Sequence, residues 1–268
     1  MSDLTDIEFP EHFDWQAWVA RWDRMQSRYL VKRSERFEAI VSLIKATQDS
    51  PARILDLGCG TGSLMLSVLE AFPAAQVVGV DFDPTMLWLA RARLESYADR
   101  SRVMLLDLRE LSWAKEITTP VDAVVSATAL HWLKPAHLSE LYRQLAAIIR
   151  PGGIFLNADH VGSACPEIQG SWESHRDEMR LQEANSESDD WNGFWSAYSE
   201  ALGIDIREFS RRIKGGWEEE VEDGLPLAWH LDRLRSNGFE HVDCFWRCDC
   251  DAIYGGIRSV GCGQGSLS

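Results

Sequence analysis

The 268-residue chain contains no apolar run near the roughly 18 residues needed to span a membrane. It is also short of positive charge: 27 Lys and Arg stand against 42 Asp and Glu, a formal net charge of −15. Phosphate contacts need clustered cations. The basic clusters here are brief, Arg28 to Arg36 and Arg207 to Lys214. A nucleic-acid substrate is therefore not expected. The opening Met1-Ser-Asp-Leu-Thr-Asp-Ile-Glu8 is acidic and lacks the form of a signal peptide, so a soluble, cytoplasmic protein is expected. Cysteine is sparse, with six residues and no Cys-x-x-Cys pair. Cys244, Cys248 and Cys250 lie close together, but not at the spacing of common zinc sites. Free thiols in a reducing compartment are expected, and no metal. Internal repeats are absent. The Gly- and Ser-rich tail 261–268 is expected to be disordered.

What is present suits one large α/β domain, or one domain with a substantial insertion: 45% of residues are hydrophobic. Trp15, Trp18, Trp22, Met25 and Tyr29 recur at intervals of three and four, one face of a helix over 13–29. A second helix is expected over 33–47. Then apolar strands alternate with helices. Strands are read at 53–57, 76–81, 102–106, 121–126 and 154–157. Pro84 opens a helix that Asp83 caps. A helix near 137–149 is expected to stop at Arg150-Pro-Gly-Gly153. Near-continuous apolar strands between helices predict a parallel sheet covered on both faces.

The rhythm breaks over 161–224, a polar and aromatic stretch with Trp172, Trp191, Phe194, Trp195, Tyr198 and Trp217. A helical insertion is expected there. A last helix (226–237) and two strands (239–247 and 249–257), closely linked as an antiparallel hairpin, bring the strand count to seven. The organisation read from this pattern is an N-terminal helical cap (1–50), a core (51–160), an insertion or lid (161–224) and a closing helix and hairpin (225–260).

The densest signal is Ile54-Leu-Asp-Leu-Gly-Cys-Gly-Thr-Gly62. It is an apolar strand ending near an acid, then three alternating glycines, then a helix. Such a loop lets a ligand approach the backbone and tolerates positive φ. A nicotinamide-binding loop would want glycines at relative positions one, three and six. Those positions are Gly58, Gly60 and Ser63, so the third fails.

The order Asp56-x-Gly58-x-Gly60-x-Gly62 resembles motif I of class I S-adenosylmethionine (SAM) methyltransferases. That resemblance implies a Rossmann-like, doubly wound α/β fold with a seven-stranded, mostly parallel sheet. It also implies SAM as cofactor, with Asp56, Gly58, Cys59, Gly60 and Gly62 around its methionine part. Asp81, ending the second strand, matches the acidic ribose position, and Phe82 the apolar residue on the adenine. The other reading of Asp81 is a helix cap, which Asp83 fits better. Asp107 and the Leu108 amide match the adenine-edge position, where Asp107 reads equally as the cap of a turn.

After the fourth strand, Ser126-Ala-Thr-Ala-Leu-His-Trp132 is similar to the small-molecule branch that includes trans-aconitate and juvenile hormone acid methyltransferases. There this loop lines the channel from cofactor sulfur to acceptor, so Ser126 is assigned to the cofactor, and His131 and Trp132 to the acceptor. The Asn-Pro-Pro-Tyr of adenine and glutamine N-methyltransferases is not present. The resemblance covers about 50–160 and 225–258.

A SAM methyl group is already activated, so the protein chiefly aligns and desolvates. A base is needed only where the acceptor carries a proton. His131, then His160, are the candidate base or orienting groups, since each follows the carboxyl end of a strand. The alternative for His131 is a structural hydrogen bond. Trp22, Tyr29 and Trp195 are the candidates for the acceptor pocket, although most of the tryptophans are expected to pack the lid. The expected function is methyl transfer to a small, partly apolar molecule, with oxygen favoured over nitrogen or carbon. A noncatalytic SAM-binding protein and a nicotinamide oxidoreductase are the alternatives.

Overall fold

The computed structural model describes residues 13–183, 189–209 and 224–260. Trp217, Cys262 and the tail 261–268 lie outside the described residues. The chain opens with helices α1 (Trp15–Tyr29) and α2 (Arg33–Thr47). Strands and helices then alternate: β1 (Arg53–Leu57), α3 (Ser63–Ala71), β2 (Gln76–Asp81), α4 (Pro84–Arg93), β3 (Ser101–Leu105), β4 (Val121–Ala127), α5 (Pro135–Ile148) and β5 (Ile149–His160). Helices α6 (Pro166–Glu183) and α7 (Trp191–Leu202) follow, then α8 (Leu227–Ser236), β6 (Phe239–Cys248) and β7 (Asp251–Arg258).

The seven strands form one sheet in the order β3-β2-β1-β4-β5-β7-β6. The pairs from β3 to β5 are parallel, and β7 runs antiparallel to both β5 and β6. Leu55, Val124 and Phe155 point into one covering layer, and Ile54, Ala123 and Leu156 into the other. This double burial explains why these strands read as unbroken apolar runs.

Local signals act as written. Asp83 caps α4, its carboxylate accepting from the Thr85 and Met86 amides, with Pro84 in the first turn. Asp190 caps α7 by accepting from the Gly193 amide. One boundary differs from expectation. The Arg150-Pro-Gly-Gly153 segment does not separate helix from strand, because α5 passes straight into β5 at Ile149, which pairs with Val121. The register then shifts before Ala123 meets Ile154, so the Pro-Gly-Gly is absorbed as an irregularity within β5.

A third apolar cluster lies outside the sheet layers. Trp15, Val19 and Met25 of α1, Trp88 and Leu89 of α4, and Phe194 and Tyr198 of α7 are among its buried members. Edge-on ring pairs contribute to it, with Trp22 and Phe194 at 5.2 Å and Trp18 and Phe194 at 5.7 Å. It seats α1 and α7 together on the core. No helix among the described residues is long and apolar enough to cross a membrane.

Candidate active site

β1, β2, β4 and β5 run parallel, so their carboxyl ends share one edge of the sheet. β1 lies between β2 and β4, and a crevice opens where the strand order reverses. A cavity of about 530 Å³ occupies this position.

One half of the cavity is the glycine loop and the acids beside it. Gly58 has φ +63°, and a Cβ there would stand 2.4 Å from the Ala129 Cβ. Gly60 has φ +51°, and a Cβ there would meet nothing within 4 Å. Both line the cavity. The Asp81 carboxylate accepts from the Gly60 amide at 2.8 Å and the Asp83 amide at 2.9 Å. It thereby braces the loop while facing the cavity. Burial raises its pKa to about 6, even though these amide hydrogen bonds pull the other way.

Phe82, Asp107 and Leu108 also line this half. Asp107 holds the Arg109 guanidinium at 2.7 Å and accepts from the Arg109 amide at 2.8 Å. It is thus both a turn cap and a cavity residue.

Four residues singled out in the sequence do not line the cavity. Asp56 is buried beneath the loop, and burial with Asp81 nearby pushes its carboxyl well above the usual range. Its Oδ2 has no hydrogen-bond partner among the described residues. Cys59 is buried too, and burial raises its thiol pKa. Gly62 is the left-handed N-cap of α3. The Ser126 hydroxyl donates to the Leu57 carbonyl at 2.7 Å, joining β4 to β1.

The other half is built on two histidines, whose ring centroids lie 4.9 Å apart. His131 Nδ1 is 2.6 Å from Asp159 Oδ1, and its amide donates to Asp159 Oδ2 at 3.0 Å. Asp159 also accepts from the His160 amide at 2.9 Å. Burial would raise the Asp159 pKa, but the charges and hydrogen bonds of both histidines outweigh it and hold the carboxyl below its usual range. An ionised Asp159 only accepts. Nδ1 of His131 therefore carries a proton in this pair, which leaves Nε2 as the ring nitrogen not engaged by Asp159.

His160 Nδ1 is 2.7 Å from Asp251, which the buried Arg36 also approaches at 3.3 Å. Asp251 is likewise held below the usual range: its burial is outweighed by His160 and Arg36. The two acids are residues that the sequence reading missed. Asp159 was within reach, since it adjoins His160 at the end of β5. Asp251 comes from a distant strand, and only sheet pairing brings it to His160.

The roof comes from helices. Trp22 and Tyr29 of α1, Trp191 and Trp195 of α7, Arg176 and Arg180 of α6, and Trp132 after β4 line the cavity. The Tyr29 hydroxyl accepts from the Trp191 amide at 2.8 Å, and Arg180 Nε donates to the Tyr29 carbonyl at 3.0 Å. Arg93 joins the roof to the loop, gripping Asp23 of α1 at 2.8 Å and the Thr61 carbonyl at 2.8 Å. Trp15 and Trp18 pack the roof and do not reach the cavity. Arg247 lies over Trp172 at 4.2 Å. Among the described residues no cluster of three or more His, Cys, Asp or Glu is arranged to hold a metal ion.

Residues 54–153, the glycine loop through the start of β5, match the family model described as a methyltransferase domain. Trans-aconitate 2-methyltransferase of Azoarcus sp. (strain BH72) is 37% identical over 134 residues, 50% of this chain and 48% of that protein. Over these residues the chain is similar to a methyltransferase domain. Such domains use SAM as methyl donor. The chain spans about half the length of the curated relatives it matches. Among solved structures, the SAM-dependent methyltransferase SibL superposes with a TM-score of 0.53 at 16% identity, over 83% of this chain and 54% of that one. Human N-acetylserotonin methyltransferase in complex with SAM gives 0.51 at 13% identity, over 93% and 59%. At these identities the likeness is one of fold.

The methyltransferase domain fits a SAM-sized ligand on its own residues. Gly60 presents bare backbone to open space, Asp81 offers a buried carboxylate at the cavity wall, and Asp56 leaves one oxygen unpartnered beneath the loop.

Proposed function

We propose that the protein is an enzyme that methylates an oxygen of a small, partly apolar molecule, using SAM. The observation that carries this reading is the His131–Asp159 pair at 2.6 Å, on the wall of the same cavity as the glycine loop. A protein that only bound SAM would have no use for an oriented imidazole beside an open acceptor space.

In this reading Gly58 and Gly60 admit the methionine part of SAM, Asp81 receives the ribose hydroxyls, and Phe82, Asp107 and the Leu108 amide meet the adenine. Asp56, Cys59, Gly62 and Ser126 shape and support the loop from behind. Bound SAM supplies a methyl group on a positively charged sulfur, ready for in-line displacement. His131 Nε2 accepts the proton that a hydroxyl acceptor loses, and Asp159 stabilises the imidazolium and fixes the ring. A hydroxyl is favoured over a carboxylate as acceptor, because a carboxylate needs no base. Trp22, Trp132 and Trp195 exclude water and receive the apolar body, with Tyr29 tying the roof. His160 orients the acceptor from the adjoining wall. The location is proposed to be the cytoplasm.

The test is methyl transfer from labelled SAM to a panel of phenols, enols and hydroxy acids. Asp159→Asn is expected to lower kcat by about 10²–10⁴-fold, the usual worth of a positioned base. Its affinity for S-adenosylhomocysteine (SAH) should stay at the wild-type value. Unchanged kcat in Asp159→Asn would remove the base from the account.

A further inference from the structure

The proposed reading leaves one feature of the cavity unused. Arg176 and Arg180 lie one turn apart on α6 and both face the cavity. Their side chains are 20% and 28% exposed. Arg176 Nε is buried without a hydrogen-bond partner among the described residues, its ion-pair contact being the exposed Asp177 at 3.9 Å. Arg180 uses its Nε on the Tyr29 carbonyl, and its Nη1 stands 3.7 Å from Asp177. Asp177 is 65% exposed, so its charge is largely spent on water.

The charges behind this wall add to the imbalance. Arg36 is buried against Asp251, which His160 also contacts. Arg36 pairs with Asp251, whose charge Arg176 and Arg180 also feel, while among the described residues those two pair only with the exposed Asp177. Burial, then the repulsion of Arg176, lowers the Arg180 pKa from its ordinary value, with Arg36 adding to this and the two acids opposing. In a chain of net charge −15 this concentration of cations needs a reason.

Position sorts the cavity into two ends. His131 lies two residues from Ala129, which abuts Gly58 of the loop. His160 lies beside it, against Asp251, on which the charges of Arg36 and Arg176 also act. The adjacency runs from loop to His131, to His160, to the arginine pair.

Resting on the hydroxyl-methylating reading above, we infer that Arg176 and Arg180 form an anion subsite that anchors a carboxylate or phosphate of the acceptor, while its hydroxyl lies at His131. The anion is the handle and is not the methylated group. Guanidinium contacts occupy the lone pairs of a carboxylate and blunt its nucleophilicity. The same anchor sets which acceptors enter productively. The substrate class is a hydroxylated aromatic or unsaturated acid, its flat body lying among Trp22, Trp132 and Trp195.

The test uses the full chain saturated with SAH. Benzoate, 4-hydroxybenzoate, 4-hydroxycinnamate and phenyl phosphate are titrated beside the neutral amides of the acids and beside phenol. At least one acid is expected to bind about tenfold or more tighter than its neutral partner, the usual strength of a charged hydrogen bond. Preference for phenyl phosphate over the carboxylates would assign the subsite to phosphate, and the reverse to carboxylate. Arg176→Gln is expected to bring the acid-to-neutral ratio close to one, and Arg176→Lys to keep part of it. SAH affinity should be unchanged in both variants, which also shows that they fold. The methylated acid should retain a free carboxylate and resist mild alkali. Equal binding of acids and neutral partners, a preference that survives Arg176→Gln, or an alkali-labile methyl ester as product would each overturn the inference. Loss of SAH binding by the wild-type protein would instead overturn the methyltransferase reading beneath it.

Discussion

Asp81 carries two tasks with one carboxylate. It accepts from the Gly60 and Asp83 amides, and in the proposed reading it receives two ribose hydroxyls as well. Its pKa of about 6 makes this testable by pH. Hydroxyls donate best to the ionised carboxylate, so the ligand binds the deprotonated form. Because the folded pKa stands above the ordinary value, ionising Asp81 costs stability as pH rises from about 4 through about 6, and the bound ligand offsets that cost. SAH affinity is therefore expected to rise between about pH 5 and about pH 7 and then level off, with protons released on binding near pH 6. Calorimetry in buffers of different ionisation heat checks this. A flat affinity over that range would show that Asp81 is not a ligand contact. Gly58 is the other residue under tight demand. A Cβ would add a 2.4 Å contact with Ala129 to a φ of +63°, so Gly58→Ala is expected to cost about 1–3 kcal/mol and weaken SAH binding. Denaturant unfolding with and without SAH measures both effects.

Arg93 shows how elements are coupled. It sits at the end of α4 and holds Asp23 of α1 with one side of its guanidinium and the Thr61 carbonyl of the glycine loop with another. α1 and the loop therefore share a clamp. Arg93→Ala is expected to loosen both, weakening SAH binding by about tenfold, a change a buried charged hydrogen bond can carry. The same variant should raise amide exchange in α1. Exchange confined to α4 would show that the clamp carries no coupling. The roof helices also mark where sequence reading stops. The three- and four-residue spacing of Trp15, Trp18, Trp22, Met25 and Tyr29 gave α1 directly, because a helix face repeats at that interval. Trp22 and Tyr29 were the rings expected at the pocket and they line the cavity, although spacing alone does not separate them from Trp15 and Trp18. Trp15 and Trp18 turn into the cluster with Phe194 and Tyr198, while Trp22 and Tyr29 reach the cavity, and that division depends on how α7 packs.

At the scale of the molecule, the sheet was readable because both its faces are buried, leaving unbroken apolar strands between helices. The glycine loop and Asp81 were readable for a related reason: a tight turn and a strand-end acid are local demands on local residues. The His131–Asp159 and His160–Asp251 pairs join residues 28 and 91 positions apart; Asp159 stands beside His160 at a strand end, whereas no local pattern signals Asp251. Arg176 and Arg180 were not singled out in the sequence, and only the fold brings them to the cavity. A ligand bridging loop, acids and roof should tighten the whole domain. SAH at about 100 times its Kd is expected to add about 2.7 kcal/mol. For a chain of this size that raises Tm by about 5–10 °C, readable by scanning calorimetry. Absence of any shift at that concentration would mean that the cavity does not hold the ligand.

The central claim is that the cavity at the strand ends receives SAM through the glycine loop and Asp81. Isothermal titration of SAH into the wild-type chain and into Asp81→Asn tests it directly, with NAD titrated in parallel. Micromolar binding of SAH is expected, with a loss of at least about tenfold in the variant from the charged hydrogen bonds removed, and no binding of NAD. Binding of NAD without SAH, or equal SAH affinity in both proteins, would contradict it.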